Sequence, residues 1–196
     1  MSTPNSDPAG FQPVVAFHGH RCLDIAMGYR VAAAALEALA AQGIGQTGLT
    51  ATVGNDTCWV DAIQSMTGCT FGKRNLVPVG SGKPVLLLQD ASGRGVRVYV
   101  HYWETFDRDR NFRTRMGDWK SGRLNAAEGA AFEAQHEARM RQVLEAPAET
   151  LFRIRPITLP PPARSGGFTA APCIACGEHV KESLLVDGRC AECGKG

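Results

Sequence analysis

The sequence predicts an α+β fold, a mostly antiparallel sheet packed with helices, followed by a small C-terminal cysteine module. Three observations carry this reading. Two long stretches place apolar residues at helical spacing, two apolar β-branched runs flank a turn, and four cysteines close the chain in two C-x-x-C pairs. By composition the 196 residues divide into a core at 1–158, a Pro/Gly linker at 159–172 and the cysteine module at 173–196.

Residues 1–13, with Pro, Ser and Asn, read as a loose lead-in. From 23 to 42, Ile25, Met27, Val31, Ala35 and Leu39 recur at helical spacing, and Gly43 is placed to stop the helix. Residues 49–53 alternate as a short strand. Asp56 or Thr57 is expected to cap a helix over 58–67, ended by Gly68. A Gly-rich loop runs from 69 to 83. Residues 84–89 and 96–103 then form a hairpin around Asp90-Ala-Ser-Gly-Arg-Gly. Residues 107–123 mix Arg108, Arg110, Arg113, Arg115, Lys120 and Arg123 with Asp107, Asp109 and Asp118, the pattern of a solvated face. An amphipathic helix is expected over 125–144 and a last strand over 152–159.

Composition narrows the function. With 44% hydrophobic and 20% charged residues the chain is of soluble globular type. A net charge of +2 gives no general drive toward nucleic acid or an anionic membrane surface. No stretch reaches the roughly 18 apolar residues of a membrane span, and the N-terminus lacks the features of a secretory signal. A cytoplasmic location is therefore expected, and seven cysteines in a reducing compartment point to metal binding or thiol chemistry before disulfides.

Cys173-x-x-Cys176 and Cys190-x-x-Cys193 are separated by about a dozen residues, a structural-zinc spacing. Residues 180–186 between them are expected to form a hairpin closed by Asp187-Gly188. So short a segment buries no core, and four protein thiolates leave zinc no open position, so this site is expected to be structural. Lys181, Arg189 and Lys195 are too few to suggest a nucleic-acid surface.

A second cluster lies in the core. In Phe17-His18-Gly19-His20-Arg21-Cys22, an extended backbone would put His18, His20 and Cys22 on one face. Cys22 also opens a helix, where the dipole favours thiolate. This segment reads either as a metal or catalytic cluster or as a polar helix entry with a capping His. Cys58, in the first turn of the next helix, either joins such a site or is a small buried hydrophobe. Asp61, amid Trp59, Val60, Ala62 and Ile63, needs a partner. Gly68-Cys-Thr-Phe-Gly-Lys73 fails the phosphate-loop spacing. It is either a weak anion-binding loop or a solvated connection.

His18-Gly-His20-Arg-Cys22, Met27-Gly28-Tyr29-Arg30, Gly54-Asn-Asp-Thr-Cys58-Trp-Val-Asp61-Ala-Ile-Gln64 and Thr67-Gly-Cys69-Thr-Phe-Gly-Lys73 are similar to the FmdE family, which takes its name from formylmethanofuran dehydrogenase gene clusters. The match covers about residues 11–105, and the four-cysteine module looks like the treble-clef finger some members carry. The resemblance implies an α+β core, a homodimer, and a core metal held by His18 or His20, Cys22 and Cys58, with Asp61 and Cys69 nearby. The chain departs from the family's usual Cys-Pro-Gly at Cys22-Leu23-Asp24, where Asp24 either competes for the metal or joins it.

Together these readings lead to a cytosolic metal-binding protein accessory to an oxidoreductase system. Its core site would hold zinc or another transition metal on His18, His20, Cys22 and Cys58, and Cys22, Cys58 and Asp61 are the candidate catalytic side chains. The alternative is a metal or cofactor chaperone, haem included, that docks a partner enzyme through the finger.

Overall fold

The computed structural model describes residues 7–101, 110–160 and 169–194, the side chain of Arg110 excepted. Two compact units are present, residues 1–162 and 163–196.

The first unit is built on a five-stranded sheet in the order β2-β1-β3-β4-β5. Its strands are β1 (Thr50–Val53), β2 (Leu76–Pro78), β3 (Val85–Gln89), β4 (Arg94–Val100) and β5 (Phe152–Thr158). All neighbours are antiparallel except β1 and β2, which run parallel. The β3–β4 hairpin forms as the β-branched runs predict. Asp90 closes it, taking bonds from the Ser92 and Arg94 amides on Oδ1. Residues 102 and 103 of the expected second strand lie outside the described residues. The short β2, inside what reads as a Gly-rich loop, has too few residues for any alternation and closes with Pro78 at the sheet edge.

Helices α1 (Phe11–His18), α2 (Leu23–Ala40), α3 (Trp59–Thr67), α4 (Arg110–Lys120), α5 (Ala126–Glu145) and the one-turn α6 (Ala148–Leu151) complete the unit. The sheet presents Ala51, Val53, Leu86, Leu88, Val96 and Val98 as one buried face, and α2 packs there through Ile25, Val31, Ala35 and Leu39. Helix α3 joins β1 to its parallel neighbour β2 and packs closely on α2. Asn125 caps α5 in a reciprocal capping box with Glu128, both bonds at 3.0 Å. At its other end Arg30 donates to the carbonyls of Val143, Leu144 and Ala146, so a guanidinium from α2 closes the orphan acceptors of α5.

Three expectations are corrected. Helix α1 begins at Phe11 within the supposed lead-in, because Phe11 and Val14 are buried and Pro13 lies in the first turn, where its missing N–H costs nothing. Asp7, also in that segment, is held by Arg21 at 2.5 Å. Neither Asp56 nor Thr57 caps α3: the N-cap position is Cys58, without a side-chain cap bond. Finally, residues 110–120 form α4, whose Phe112 is buried under the charged exterior. Asp107, Arg108 and Asp109 lie outside the described residues.

Gly28 sets the α2–α3 distance. A Cβ there would lie 2.7 Å from Trp59 Cα and 2.8 Å from Ala62 Cβ. Gly→Ala inside a helix ordinarily gains about 1 kcal/mol, but the overlap falls on backbone, and overpacking costs about 1–3 kcal/mol. Gly28→Ala is therefore expected to lower the urea midpoint with an unchanged denaturant slope. A raised midpoint would disprove the close approach.

The second unit contains the hairpin β6 (Ala170–Pro172) and β7 (His179–Lys181). This differs from the hairpin expected over 180–186. The first C-x-x-C knuckle itself forms the turn between the strands, and Asp187-Gly188 closes a single bridge from Val186 to Arg189. Residues 170–172, expected in the linker, are a strand of this unit, while 161–168 of that linker lie outside the described residues.

Candidate metal centre

The core cluster is assembled at a helix–glycine–helix corner. His18 is the last residue of α1. Gly19, at φ +92°, turns the chain and donates to Val15 O at 2.8 Å, a conformation that disfavours any residue with a Cβ. Cys22 then sits at the N-cap of α2, its Sγ accepting from the Ile25 amide at 3.4 Å. Because α3 packs on α2, Cys58 at the start of α3 meets Cys22. The donor atoms of His18, His20, Cys22 and Cys58 all lie within 4.8 Å of one another. His18 Nε2 is 3.9 Å from Cys22 Sγ, and the two imidazoles have centroids 4.4 Å apart.

The four residues named from the sequence thus come together, by a different route. An extended segment does not align them; α1 ends at His18 and α2 starts after Cys22, so the convergence comes from the corner.

Asp61 has the partner expected for it, although its side chain is 38% exposed and it is His18 that is the more buried member of the pair. Its Oδ2 is 2.8 Å from His18 Nδ1, and its Oδ1 accepts from Gln64 Nε2 at 3.1 Å. With Nδ1–H given to the carboxylate, Nε2 carries the lone pair toward the thiols, the orientation in which a ligating histidine is normally held. Asp61→Ala is expected to weaken metal binding by about 10–100-fold, measured by competition with a chromogenic chelator. Unchanged affinity would show that Asp61 does not orient the ligand.

Donor chemistry fits a metal. Burial pushes the Cys22 thiol up to about 12, opposed by the Ile25 amide and reinforced by the negative charges Cys58 and Asp24 would carry. The helix dipole favours thiolate there, but desolvation outweighs it. A bound divalent cation is the group that would reverse this balance, and two thiols with two imidazoles form a set suited to a thiophilic transition metal.

Other candidates fall outside the cluster. Cys69 is buried and donates to Leu49 O at 3.3 Å. Asp24 is not a member. Burial raises its carboxyl pKa, and Lys120 and the Thr57 hydroxyl partly offset that. The loop after α3 is not an anion cradle. The amides of Cys69, Thr70, Phe71, Lys73 and Arg74 bond to Thr67 Oγ1, Asn75 Oδ1, Gln64 Oε1, Thr70 Oγ1 and Phe71 O.

Beside the cluster opens a cavity of about 500 Å³. Cys22 and Cys58 lie along it, and its walls include Phe112, Met116 and Trp119 of α4 and His136 of α5. The mixed charges of α4 conceal this wall from sequence reading. The one signal available is the spacing of Phe112, Met116 and Trp119, at i, i+4 and i+7. His136 gives none, being one histidine within an amphipathic helix.

In the second unit the four sulfurs of Cys173, Cys176, Cys190 and Cys193 also lie within 4.8 Å of one another. Cys173 Sγ accepts from the amides of Ala175 and Cys190, each at 3.4 Å. The Cys190, Cys176 and Ala175 amides bring its thiol down to about 6, whereas the crowd of neighbouring thiols, Cys190 first, holds Cys193 up to about 12. Four thiols so close shed their protons together only when a cation replaces them.

Comparison with known proteins agrees with the residues. A protein of Archaeoglobus fulgidus described as a probable S-adenosyl-L-methionine-binding protein is 29% identical over 191 residues, 90% of this chain and 50% of its own length. The chain therefore spans about half the length of that relative. The crystal structure of a tungsten formylmethanofuran dehydrogenase FmdE-like protein from Syntrophus aciditrophicus aligns with a TM-score of 0.62 at 25% identity, covering 94% of this chain and 90% of that one. Residues 17–153, which contain the whole core cluster and the cavity wall, match the family described as FmdE, molybdenum formylmethanofuran dehydrogenase operon, and the chain belongs to the FmdE family.

Proposed function

We propose that the protein binds two metal ions, a transition metal, best zinc, in the core and a structural zinc in the C-terminal unit, and serves as an accessory to an oxidoreductase. One observation carries the core reading: two imidazoles and two thiols, delivered by the ends of three helices, converge within 4.8 Å, with Asp61 oriented on His18. His18, Cys22 and Cys58 would hold the ion. His20, exposed and lining the cavity, is the donor free to exchange for an incoming ligand. The metal would supply Lewis acidity and affinity for a soft donor. The chain itself orients His18 through Asp61, and its aromatic wall limits water beside the thiols.

The words attached to the matched family and to the Syntrophus structure, both naming a formylmethanofuran dehydrogenase, support the accessory role. We extend the reading to a cytoplasmic homodimer. No described helix is long and apolar enough to cross a membrane. A second reading, that the cavity accepts S-adenosylmethionine, is favoured by the Archaeoglobus relative's name and the extent of that alignment. It ranks lower because that molecule is a net cation, and Lys120 lies in the cavity wall. Metal analysis of the full chain should give about two ions, with mixed nitrogen and sulfur ligation by X-ray absorption. A single ion in an all-sulfur shell would overturn the core site.

A further inference from the structure

The cavity is lined by a polar group that makes no hydrogen bond among the described residues. His136 on α5 is 8% exposed, and its ring lies in an aromatic box. It stacks parallel to Phe112 with centroids 6.4 Å apart, and Trp119 and Phe132 are at 6.0 and 6.3 Å. Among the described residues it makes no hydrogen bond, and its charge neighbours Glu137, Lys120 and Asp24 act only at a distance. No buried side-chain nitrogen or oxygen among the described residues is sealed without a partner, and His136 lines the cavity, so its ring is not closed off from that space. A histidine so nearly buried, with no hydrogen-bond partner among the described residues, leaves its ring nitrogens to whatever occupies the cavity.

The walls say what that is. Phe112 and Trp119 offer ring faces, which favour a flat apolar body. Lys120 stands on the same wall as the cation closest in effect to His136, and Arg113 and Arg139 also line the space. Asp24 is the one carboxylate among the described lining residues, against the cations Arg21, Arg113, Lys120 and Arg139. A cavity of about 500 Å³ admits a small molecule, not a peptide segment.

We propose that this cavity is a binding site for a small planar aromatic carboxylate, its ring against Phe112 and Trp119 and its carboxylate taking a hydrogen bond from His136 and the charge of Lys120. The site abuts Cys22 and Cys58, so the inference rests on the core cluster being a metal centre for its function, though not for its binding contacts. Burial holds the His136 imidazole below its ordinary pKa, which favours the uncharged ring, and a neutral imidazole has one N–H to donate to the bound acceptor.

The test uses the full, metal-loaded chain and 2-naphthoate as probe, titrated by calorimetry. One saturable site per chain is expected. His136→Phe, which keeps the ring and removes the donor, should weaken binding about tenfold or more, whereas His136→Gln, which restores a donor, should stay within about threefold. Lys120→Met, at an exposed position on the cavity wall, should cost several-fold without disturbing the core and serves as a second readout should His136→Phe unfold. 2-Methylnaphthalene, without the head group, should bind at least about tenfold more weakly. Wild-type affinity in both His136→Phe and Lys120→Met, or no saturable binding to the wild type, overturns the proposal. Metal measured in the same samples separates the two claims. Two ions with His136-independent binding sinks the ligand site alone, and one ion with His136-dependent binding sinks the core metal alone.

Discussion

Replacing Cys22 and Cys58 together by alanine is expected to drop bound metal from about two ions per chain to about one while the fold persists. The two halves of this outcome have different causes. Metal is lost because the remaining donors, His18 and His20, are two neutral imidazoles, and thiolates supply both the negative charge and the softness that a thiophilic ion requires. Removing one orienting partner of a ligand already costs about 10–100-fold, and removing two ligands costs more. The fold survives because the ion is not its staple. The core of the first unit joins residues from α1, α2, α3, α5, α6 and all five strands, with Ile25, Ile63, Leu86, Leu88 and Met140 among those fully buried. Far-UV circular dichroism should be unchanged and the thermal midpoint shifted by only a few degrees. If the double variant keeps two ions, His18 and His20 do not share a site with these cysteines. If it unfolds, the core metal is structural, and a functional role loses its physical basis.

Much of this is legible in the residues. Helix α2 shows as a 3.6-residue period, because it turns one face to the core, and the β3–β4 hairpin shows as two apolar, β-branched runs flanking a turn. Helix α5 adds a capping box readable as Asn125-x-x-Glu128. The donors of the core cluster are legible as residue types, but their meeting is not. It depends on a corner at Gly19 and on the close α2–α3 contact at Gly28, and no local pattern encodes a distance between two helices. Asp61 shows the opposite case: its apolar sequence neighbours point to a partner, and only the fold supplies His18, at a carboxylate that itself stays 38% exposed. What stays hidden has weak local signals. Strand β2 is three residues of a sheet edge, α1 carries a proline, and α4 covers three apolar residues with arginines. His136 is invisible for a physical reason, since its role follows from having no hydrogen-bond partner among the described residues, and that is a property of the packed cavity.

Stripping metal from the C-terminal unit is expected to unfold that unit completely and leave the first one intact. Among its described residues only Cys173 is buried, while Ile174, Leu184 and Val186 are 72%, 61% and 73% exposed. Its strands are three residues each, and an isolated two-stranded hairpin is marginal in water. Apolar burial therefore offers too little to order about 25 residues at about 1–2 kcal/mol of backbone entropy each. An apparent binding free energy of about 10–16 kcal/mol, typical of structural zinc in small fingers, is the available counterweight. It acts directly on the two loops that define the unit, because the first C-x-x-C is itself the β6–β7 turn and the amides of Ala175 and Cys190 point at Cys173 Sγ. Without a cation the crowded thiols retake protons, and the sulfur acceptors that order those amides lose their charge. Cys190→Ser/Cys193→Ser in the full chain should then show amide exchange at the limit of an unfolded peptide throughout 170–193, with protection in β3, β4 and α2 unchanged. Protection of Val180 and Lys181 that outlasts both substitutions would mean that packing, not metal, holds the unit together.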